Sequence, residues 1–448
     1  MERDVIDFGT VKVASLFRRL FIPTLLGMLS ISAVTTIDGI FVGHGVGSDG
    51  IAAVNICIPL LMIFMGFGLM VGVGCSVVAA IHLGRGRIRA ARINVTQALA
   101  FVSIVTVAVT AAIMVFARPV ALALGSSETL LPQVLDYMLW FMPSMVFNMW
   151  ISVGLFIIRM DGAPKVAMWC SVLSAVLNVV LDYVFIFPLG WGVRGAAFAT
   201  SLSEVAGGVM AMGYLLLFAR TMRPERVKWS VKSMRLSLRN LGYQCRVGSS
   251  AMLGELTMAM LMFMGNRTFM HYLGDDGVGA FGIACYYAPF AFMVGNAIAQ
   301  SAQPIISYNF GIGDSERVGS AGRIALFTAV LCGSVSMAVF MLFPRQLVGL
   351  FLQPDLAAAR IAASGLPLFA TGFVFFISNL AVIGYNQSLE RIAPATLLAV
   401  LRGFMFLVPA FLLLPEVLGT AGIWLAMPAS EMCTAAVAAL LYLRRRAA

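Results

Sequence analysis

Residues 47–56 read GSDGIAAVNI, and residues 274–283 read GDDGVGAFGI, so one glycine-flanked segment occurs twice at a spacing of 227 residues. Further pairs share that spacing: Gly84 and Gly311, Gly86 and Gly313, Gly195 and Gly422, Ala199 and Ala426, Ser203 and Ser430, and Glu204 and Glu431. An internal repeat in apolar sequence is typical of secondary transporters, whose two halves move against each other around a central site. The repeat therefore favours a transport function.

The composition excludes an ordinary soluble domain. Hydrophobic residues make up 60% of the chain and charged residues 11%, whereas about a quarter of a soluble domain is charged. Apolar stretches long enough to cross a bilayer recur along the whole chain. They predict an all-α membrane protein with twelve transmembrane helices, at residues 19–42, 51–82, 94–117, 134–158, 165–188, 194–218, 246–272, 278–309, 321–343, 361–386, 393–414 and 420–443.

The twelve predicted helices form two groups of six about a polar segment. We predict an N-terminal six-helix lobe at residues 1–218, a cytoplasmic basic linker at 219–245 and a C-terminal six-helix lobe at 246–448. Because six is even, both halves begin on the same side of the membrane, and the repeat is parallel.

Positive charges fix the predicted orientation. With the N-terminus inside, 24 of the 30 Lys and Arg residues lie on the cytoplasmic side, and only four lie outside. We therefore expect a multi-pass protein of the plasma (inner) membrane with both termini in the cytoplasm and no cleavable signal peptide. The net charge of +10 reflects this topology and anionic lipid headgroups, so no nucleic-acid partner is expected.

Five acids lie within predicted spans, at least four residues from the nearest span end: Asp38, Asp182, Glu204, Glu255 and Glu431. An ionised side chain at the bilayer centre costs about 3 kcal/mol on the insertion scale. Arg267 and Arg402 add two positive charges within spans. These groups must face protein or water, be paired, or be neutralised by a proton.

A cluster of oxygen-bearing side chains is expected in the N-terminal half. Asp38 and Asp182 lie at matching depth toward the outer ends of the first and fifth spans, and Thr200 is at similar depth. Asn178 lies one helical turn before Asp182, on the same helix face. Asp38, Asn178, Asp182 and Thr200 could hold Na⁺ through hard oxygen ligands, or one carboxylate could carry a proton. A buried pair that only ties helices together is the structural alternative.

The C-terminal half lacks this cluster, since Asp38 projects onto Gly265 and Asp182 onto Pro409. Its polar residues predict either a substrate-facing wall or interhelical hydrogen bonds: Glu255, Asn296, Gln300, Gln303 and Asn379. Glu204, one turn after Thr200, either faces the same cavity, pairs with an arginine or extends toward a helix end, and Glu431 has the same alternatives. The seven cysteines and three histidines show no metal-binding spacing, so we expect no metal site among them and no cofactor.

Pro23, the stretch Asp38-Gly39-Ile40-Phe41-Val42-Gly43 and the later pair Asn178 and Asp182 resemble the multidrug and toxic compound extrusion (MATE) family. The resemblance covers essentially the whole chain. It implies a two-lobed, twelve-helix transporter that exchanges Na⁺ or H⁺ for a drug by alternating access. It also implies a cation site at Asp38, Asn178, Asp182 and Thr200, with Pro23 as the hinge of the first helix. Some relatives use acids on the seventh and tenth spans; Glu255 matches the former, and the tenth span has none.

These observations together predict a cation-coupled (H⁺ or Na⁺) antiporter that exports cationic or amphipathic compounds and acts as a monomer. A flippase of the same superfamily for a lipid-linked or polysaccharide precursor is the nearer alternative, for which only Arg267 and Arg402 are candidate basic cavity residues. A membrane enzyme is disfavoured, because His44, His82 and His271 are scattered at span ends on both sides of the membrane.

Overall fold

A computed structural model describes residues 7–46, 48–225 and 230–447, and these residues form helices and connecting turns without a strand. The predicted all-α fold is confirmed. Gly47 of the repeat and residues 226–229 of the predicted linker lie outside the described residues.

The chain folds into two compact units. The first unit comprises residues 1–252 and 307–314, and the second comprises residues 253–306 and 315–448. The first half of the chain contains eight helices: α1 (Val13–Gly45), α2 (Ser48–Gly84), α3 (Ile88–Val115), α4 (Ala117–Ala123), α5 (Leu131–Phe141), α6 (Met145–Met160), α7 (Pro164–Ile186) and α8 (Gly192–Gly213).

The second half contains eight further helices: α9 (Val231–Ile312), α10 (Ser315–Leu342), α11 (Pro344–Gly349), α12 (Ala357–Ala370), α13 (Phe373–Ser388), α14 (Ile392–Val400), α15 (Leu407–Leu418) and α16 (Thr420–Ala447). A π-helical turn at Leu401–Met405 joins α14 to α15. The ends of α9 belong to the first unit and its middle belongs to the second.

Ten helices among the described residues are long and apolar enough to cross a membrane. The 82 residues of α9 would span about 120 Å as one straight helix, four times the hydrocarbon thickness. Gly274, with φ 61° and ψ −153°, interrupts it within the second copy of the repeat, and glycine adopts that conformation without a Cβ penalty. With α9 counted as two spans and the α12–α13 pair, bent by 45°, as one, the described helices supply the twelve predicted spans.

The fourth predicted span is irregular at its centre. A 3₁₀ turn at Met142–Ser144 connects α5 to α6, because Pro143 has no N–H with which to continue the α-helical hydrogen bonds. This turn places Ser144 on the inner side of the lobe, where it is buried. By contrast, α1 runs as one helix across Pro23.

The predicted basic linker is partly helical. Ser230 caps α9 by accepting a hydrogen bond from the Ser233 amide, so the helix begins at Val231 rather than near residue 246. The segment packs in the first unit through its polar face, where Gln244 donates to the Asn94 Oδ1 at 2.7 Å and Gln97 donates to the Ser237 Oγ at 2.8 Å. The predicted lobe boundaries themselves stay a prediction.

Two glycines that repeat in the sequence face each other in the first unit. A Cβ on Gly84 would collide with the Tyr308 carbonyl, and a Cβ on Gly311 would collide with the Ile81 carbonyl. The two helix ends approach this closely only because both positions lack a side chain.

Candidate functional site

Two carboxyl groups meet between α1 and α7. Asp38 on α1 and Asp182 on α7 are in direct contact, and Asp182 is fully buried. Among the described residues, no N–H or O–H donor reaches either oxygen of Asp182 or the Oδ1 of Asp38. Two adjacent carboxylates with buried oxygens repel each other, so a shared proton or a bound cation would stabilise this pair.

Asn178 and Thr200 extend the site onto α8. The Asn178 Nδ2 donates to the Thr200 Oγ1 at 3.2 Å, and the Thr200 hydroxyl donates to the Ala196 carbonyl at 3.0 Å. Asn178 is buried one turn before Asp182 on the same face of α7. The structure therefore brings the four sequence-predicted residues together as two contacts joined through α7.

Tyr137 on α5 is a neighbour that sequence reasoning missed. Its buried ring lies within electrostatic range of Asp38, Asp182 and Glu204. No spacing pattern marks a residue 45 positions from Asp182, so only the packing of α5 identifies it.

Glu204 on α8 is buried beside two neutral donors. Its Oε1 accepts a hydrogen bond from the Asn148 Nδ2 at 2.7 Å, and its Oε2 lies 2.7 Å from the Ser144 Oγ. No ion pair to Glu204 is found in the described part of the chain. Sequence reasoning grouped Glu204 with a substrate cavity and missed both of these partners.

The repeat counterpart of Glu204 has a different environment in the second unit. Glu431 accepts from the Arg402 Nε at 2.9 Å and Nη2 at 2.7 Å, and from the Asn379 Nδ2 at 2.7 Å. Arg402 and Glu431 are both almost fully buried, and the guanidinium lies 4.5 Å from the centre of the Phe376 ring. Of the alternatives considered for Glu431, pairing with an arginine is the one observed. The hydrogen bond from the Asn379 amide to Glu431 also connects α13 to α16.

The other polar residues of the second unit are buried to different degrees. Glu255 is 7% exposed, and within the described residues its carboxylate has no hydrogen bond or ion pair. Asn296 donates to the Phe292 carbonyl of its own helix at 3.2 Å, while Gln300 and Gln303 are buried. Their roles, and that of Pro23 as a hinge, stay predictions.

A family model described as MatE matches residues 23–184 and again residues 251–411. The two matches cover most of the chain, and their ends, at residues 184 and 411, are 227 residues apart, which is the spacing of the sequence repeat. The chain belongs to the MATE family. Members of this family are transporters, so this protein is an integral membrane transporter with small-molecule substrates rather than an enzyme.

Two characterised relatives of this MATE-family chain differ in their named substrates. An FAD transporter from Shewanella oneidensis is 25% identical over 335 residues, which cover 74% of this chain and 72% of the relative. The multidrug export protein MepA from Staphylococcus saprophyticus is 24% identical over 426 residues, covering 95% of this chain and 92% of the relative.

Solved structures of MATE transporters have the same fold. An outward-facing multidrug resistance MATE family transporter of the MOP superfamily superposes with a TM-score of 0.91 at 24% identity, over 99% of this chain and 98% of that chain. A MOP superfamily transporter from Pyrococcus furiosus, whose binding pocket is described as reversed in polarity, gives a TM-score of 0.89 at 23% identity over the same shares. The predicted two-lobed fold is confirmed.

Proposed function

We propose that this protein is a cation-coupled antiporter that exports cationic or amphipathic compounds by alternating access. The contact between Asp38 and Asp182 carries the proposal. Three of the four oxygens of this pair are buried without a donor among the described residues, and a cation or a proton would satisfy them.

Coupling follows if the cation and the substrate favour different states of the transporter. A ligand that binds both states equally shifts nothing, however tightly it binds. A cation bound at Asp38 and Asp182 neutralises charge at the α1–α7 contact, so α1 can bend or shift around Pro23. Substrate then leaves outward, and release of the cation inward resets the cycle.

Either coupling ion fits the chemistry of the four residues. Two carboxylates, the Asn178 amide oxygen and the Thr200 hydroxyl are hard oxygen ligands of the kind that Na⁺ accepts. The same contact between two carboxyl groups is also satisfied when they share one proton. The proposal therefore names the site and leaves the ion to the experiment below.

Relatives support export of organic compounds. MepA is named as a multidrug export protein and aligns along nearly the whole chain. The FAD transporter indicates that substrate class varies among relatives. The flippase alternative has less support, because Arg402 is bound to Glu431 and Arg267 lies on an exposed face.

Dye efflux from proteoliposomes tests the proposal. Purified wild-type protein, Asp38→Asn and the control Glu128→Gln are compared under an imposed pH gradient and an imposed Na⁺ gradient. Glu128 is an exposed partner of Arg118, so its substitution removes a carboxylate without touching the site.

We expect one of the two gradients to drive efflux in the wild type and in Glu128→Gln but not in Asp38→Asn. Normal efflux by Asp38→Asn would exclude this cation site. Absence of efflux with several cationic dyes would favour the flippase, which labelled lipid precursors would then test.

A further inference from the structure

We infer that Glu204 is a second proton-binding residue of the first unit, separate from the Asp38–Asp182 pair, and that Ser144 positions its proton. The inference rests on the proposed antiport, and it adds a carboxyl group that binds and releases a proton during the cycle. Three observations carry it: the geometry of one hydroxyl group, the charges around Glu204, and the contrast with Glu431.

The Ser144 hydroxyl lies between two acceptors. Its Oγ is 2.7 Å from the Glu204 Oε2 and 2.8 Å from the Phe141 carbonyl oxygen. A hydroxyl carries one proton, so it donates to only one of them at a time. When Glu204 is ionised, Ser144 donates to Oε2 and leaves the carbonyl.

When Glu204 is protonated, both short contacts are hydrogen bonds. The proton on Oε2 is then donated to the Ser144 Oγ, and the serine proton is donated to the Phe141 carbonyl. Asn148 donates to Oε1 in both forms. The two forms share the same heavy-atom positions and differ by one proton and one hydroxyl rotation, so protonation requires no rearrangement of the helices.

The groups around Glu204 supply no counter-charge. The helices packed against α8 include α1, α2, α5 and α7. Asp38 on α1, Cys57 on α2 and Asp182 on α7 lie, together with Glu204, within electrostatic range of Tyr137 on α5. All of these are acidic or neutral, so they do not favour the ionised form.

The charged and titratable groups near the ends of these helices are engaged elsewhere. Arg194 pairs with Asp136 at 2.8 Å, and the Tyr214 hydroxyl donates to Asp161 at 2.8 Å. Arg159 lies about 16 Å along α6 from Asn148 and packs over the Phe156 ring. A carboxylate that is 8% exposed and faces only neutral donors is stabilised by taking up a proton.

In the second unit, the repeat counterpart of Glu204 has a positively charged partner. Glu431 is held by the Arg402 guanidinium in a buried ion pair at 2.7 Å. The residue at the position of Arg402 in the first half is Ala175. The chain therefore provides a permanent counter-charge for one carboxylate of the repeat and a reversible hydrogen-bond arrangement for the other.

Infrared difference spectroscopy of the purified protein during a pH titration tests the inference without relying on transport. Wild type is compared with Glu204→Gln, Ser144→Ala and the control Ser203→Ala, whose buried hydroxyl donates to a backbone carbonyl of the same helix. We expect Glu204→Gln to lose one titrating carboxyl per protein. Ser144→Ala should keep that carboxyl but change the pH at which it titrates, and Ser203→Ala should match the wild type.

Two results would overturn the inference. One is a Glu204→Gln spectrum with the full set of titrating carboxyls, and the other is a Ser144→Ala titration identical to that of Ser203→Ala. Either result leaves the proposed antiport untouched if Asp38→Asn still abolishes coupling. Conversely, normal transport by Asp38→Asn would exclude the antiport site even if Glu204 titrates, so the two failures are distinguishable.

Discussion

Asp182 has two buried carboxylate oxygens that no donor among the described residues reaches, and Asp38 shares that contact. Buried polar atoms are almost always satisfied in native proteins, so this unsatisfied pair near the C-terminal end of α7 favours the proposed cation site over a purely structural contact. Asn178 and Thr200, by contrast, satisfy each other and connect the neighbouring helix. At the residue scale, the proposed cation site lies where hydrogen bonding is incomplete.

Replacement of Asp182 by Asn tests the same contact from the α7 side. The amide donates a hydrogen bond to Asp38, so it satisfies the pair without a proton or cation. We expect Asp182→Asn to accumulate and remain folded but to lose gradient-driven efflux by at least tenfold, measured in proteoliposomes beside Glu128→Gln. Gradient-driven efflux at the wild-type rate would show that α7 does not hold the coupling ion.

Glu255 is buried without a partner in the described part of the second unit, whereas Asp38 and Asp182 belong to the first unit. We propose that a cationic substrate supplies the missing partner of its carboxylate. We expect Glu255→Gln to change the relative rates at which a panel of cationic dyes is exported while the response to the coupling gradient is preserved. An unchanged panel would assign Glu255 a structural role.

Removal of one partner of the Arg402–Glu431 pair should destabilise the protein more than replacement of both partners by apolar residues. Removal of one partner leaves the other charge buried and unpaired, which typically costs about 3–5 kcal/mol. We expect Glu431→Gln to lower the melting temperature in detergent strongly. The double variant Arg402→Met with Glu431→Leu, which removes both charges, should recover most of that loss; equal losses for the two variants would contradict this account.

At the scale of helices, much of the architecture could be predicted from the sequence. The bilayer demands about 20 apolar residues per span, so the twelve spans are visible as composition, and the shared face of Asn178 and Asp182 follows from helical periodicity. The partners of Glu204 could not be predicted. Ser144 and Asn148 are 60 and 56 residues away, and their approach depends on the 3₁₀ turn at Pro143 and on the packing of α6 against α8.

The close helix contacts of the first unit predict which glycines cannot be replaced. A methyl group on Gly84 would meet the Tyr308 backbone, whereas Gly213, also at helical φ, has open space around it. We expect Gly84→Ala to destabilise the protein by about 1–3 kcal/mol, seen as a lower melting temperature. Gly213→Ala should be neutral or slightly stabilising, since alanine favours a helix over glycine; similar melting temperatures for the two variants would contradict the contact.

At the scale of the whole molecule, an even number of spans requires both ends of the chain to lie on one side of the membrane. The distribution of Lys and Arg predicts that this side is the cytoplasm. In a cysteine-free background, an impermeant thiol reagent added to intact cells should label Arg360→Cys and leave Arg317→Cys unlabelled. The reverse pattern would show that the predicted orientation is wrong. Labelling of neither or both would show that the predicted number of spans between the two positions is wrong.

The facing pair Gly84 and Gly311 has an evolutionary consequence. The two glycines are copies of one position in the repeated segment, and each occupies the surface against which the other packs. Before the segment was duplicated and joined, such a contact would have been a single glycine meeting itself across a symmetric dimer. After fusion, the requirement for glycine applies to two separate positions of one chain. A mutation at either position can therefore remove the contact between the copies.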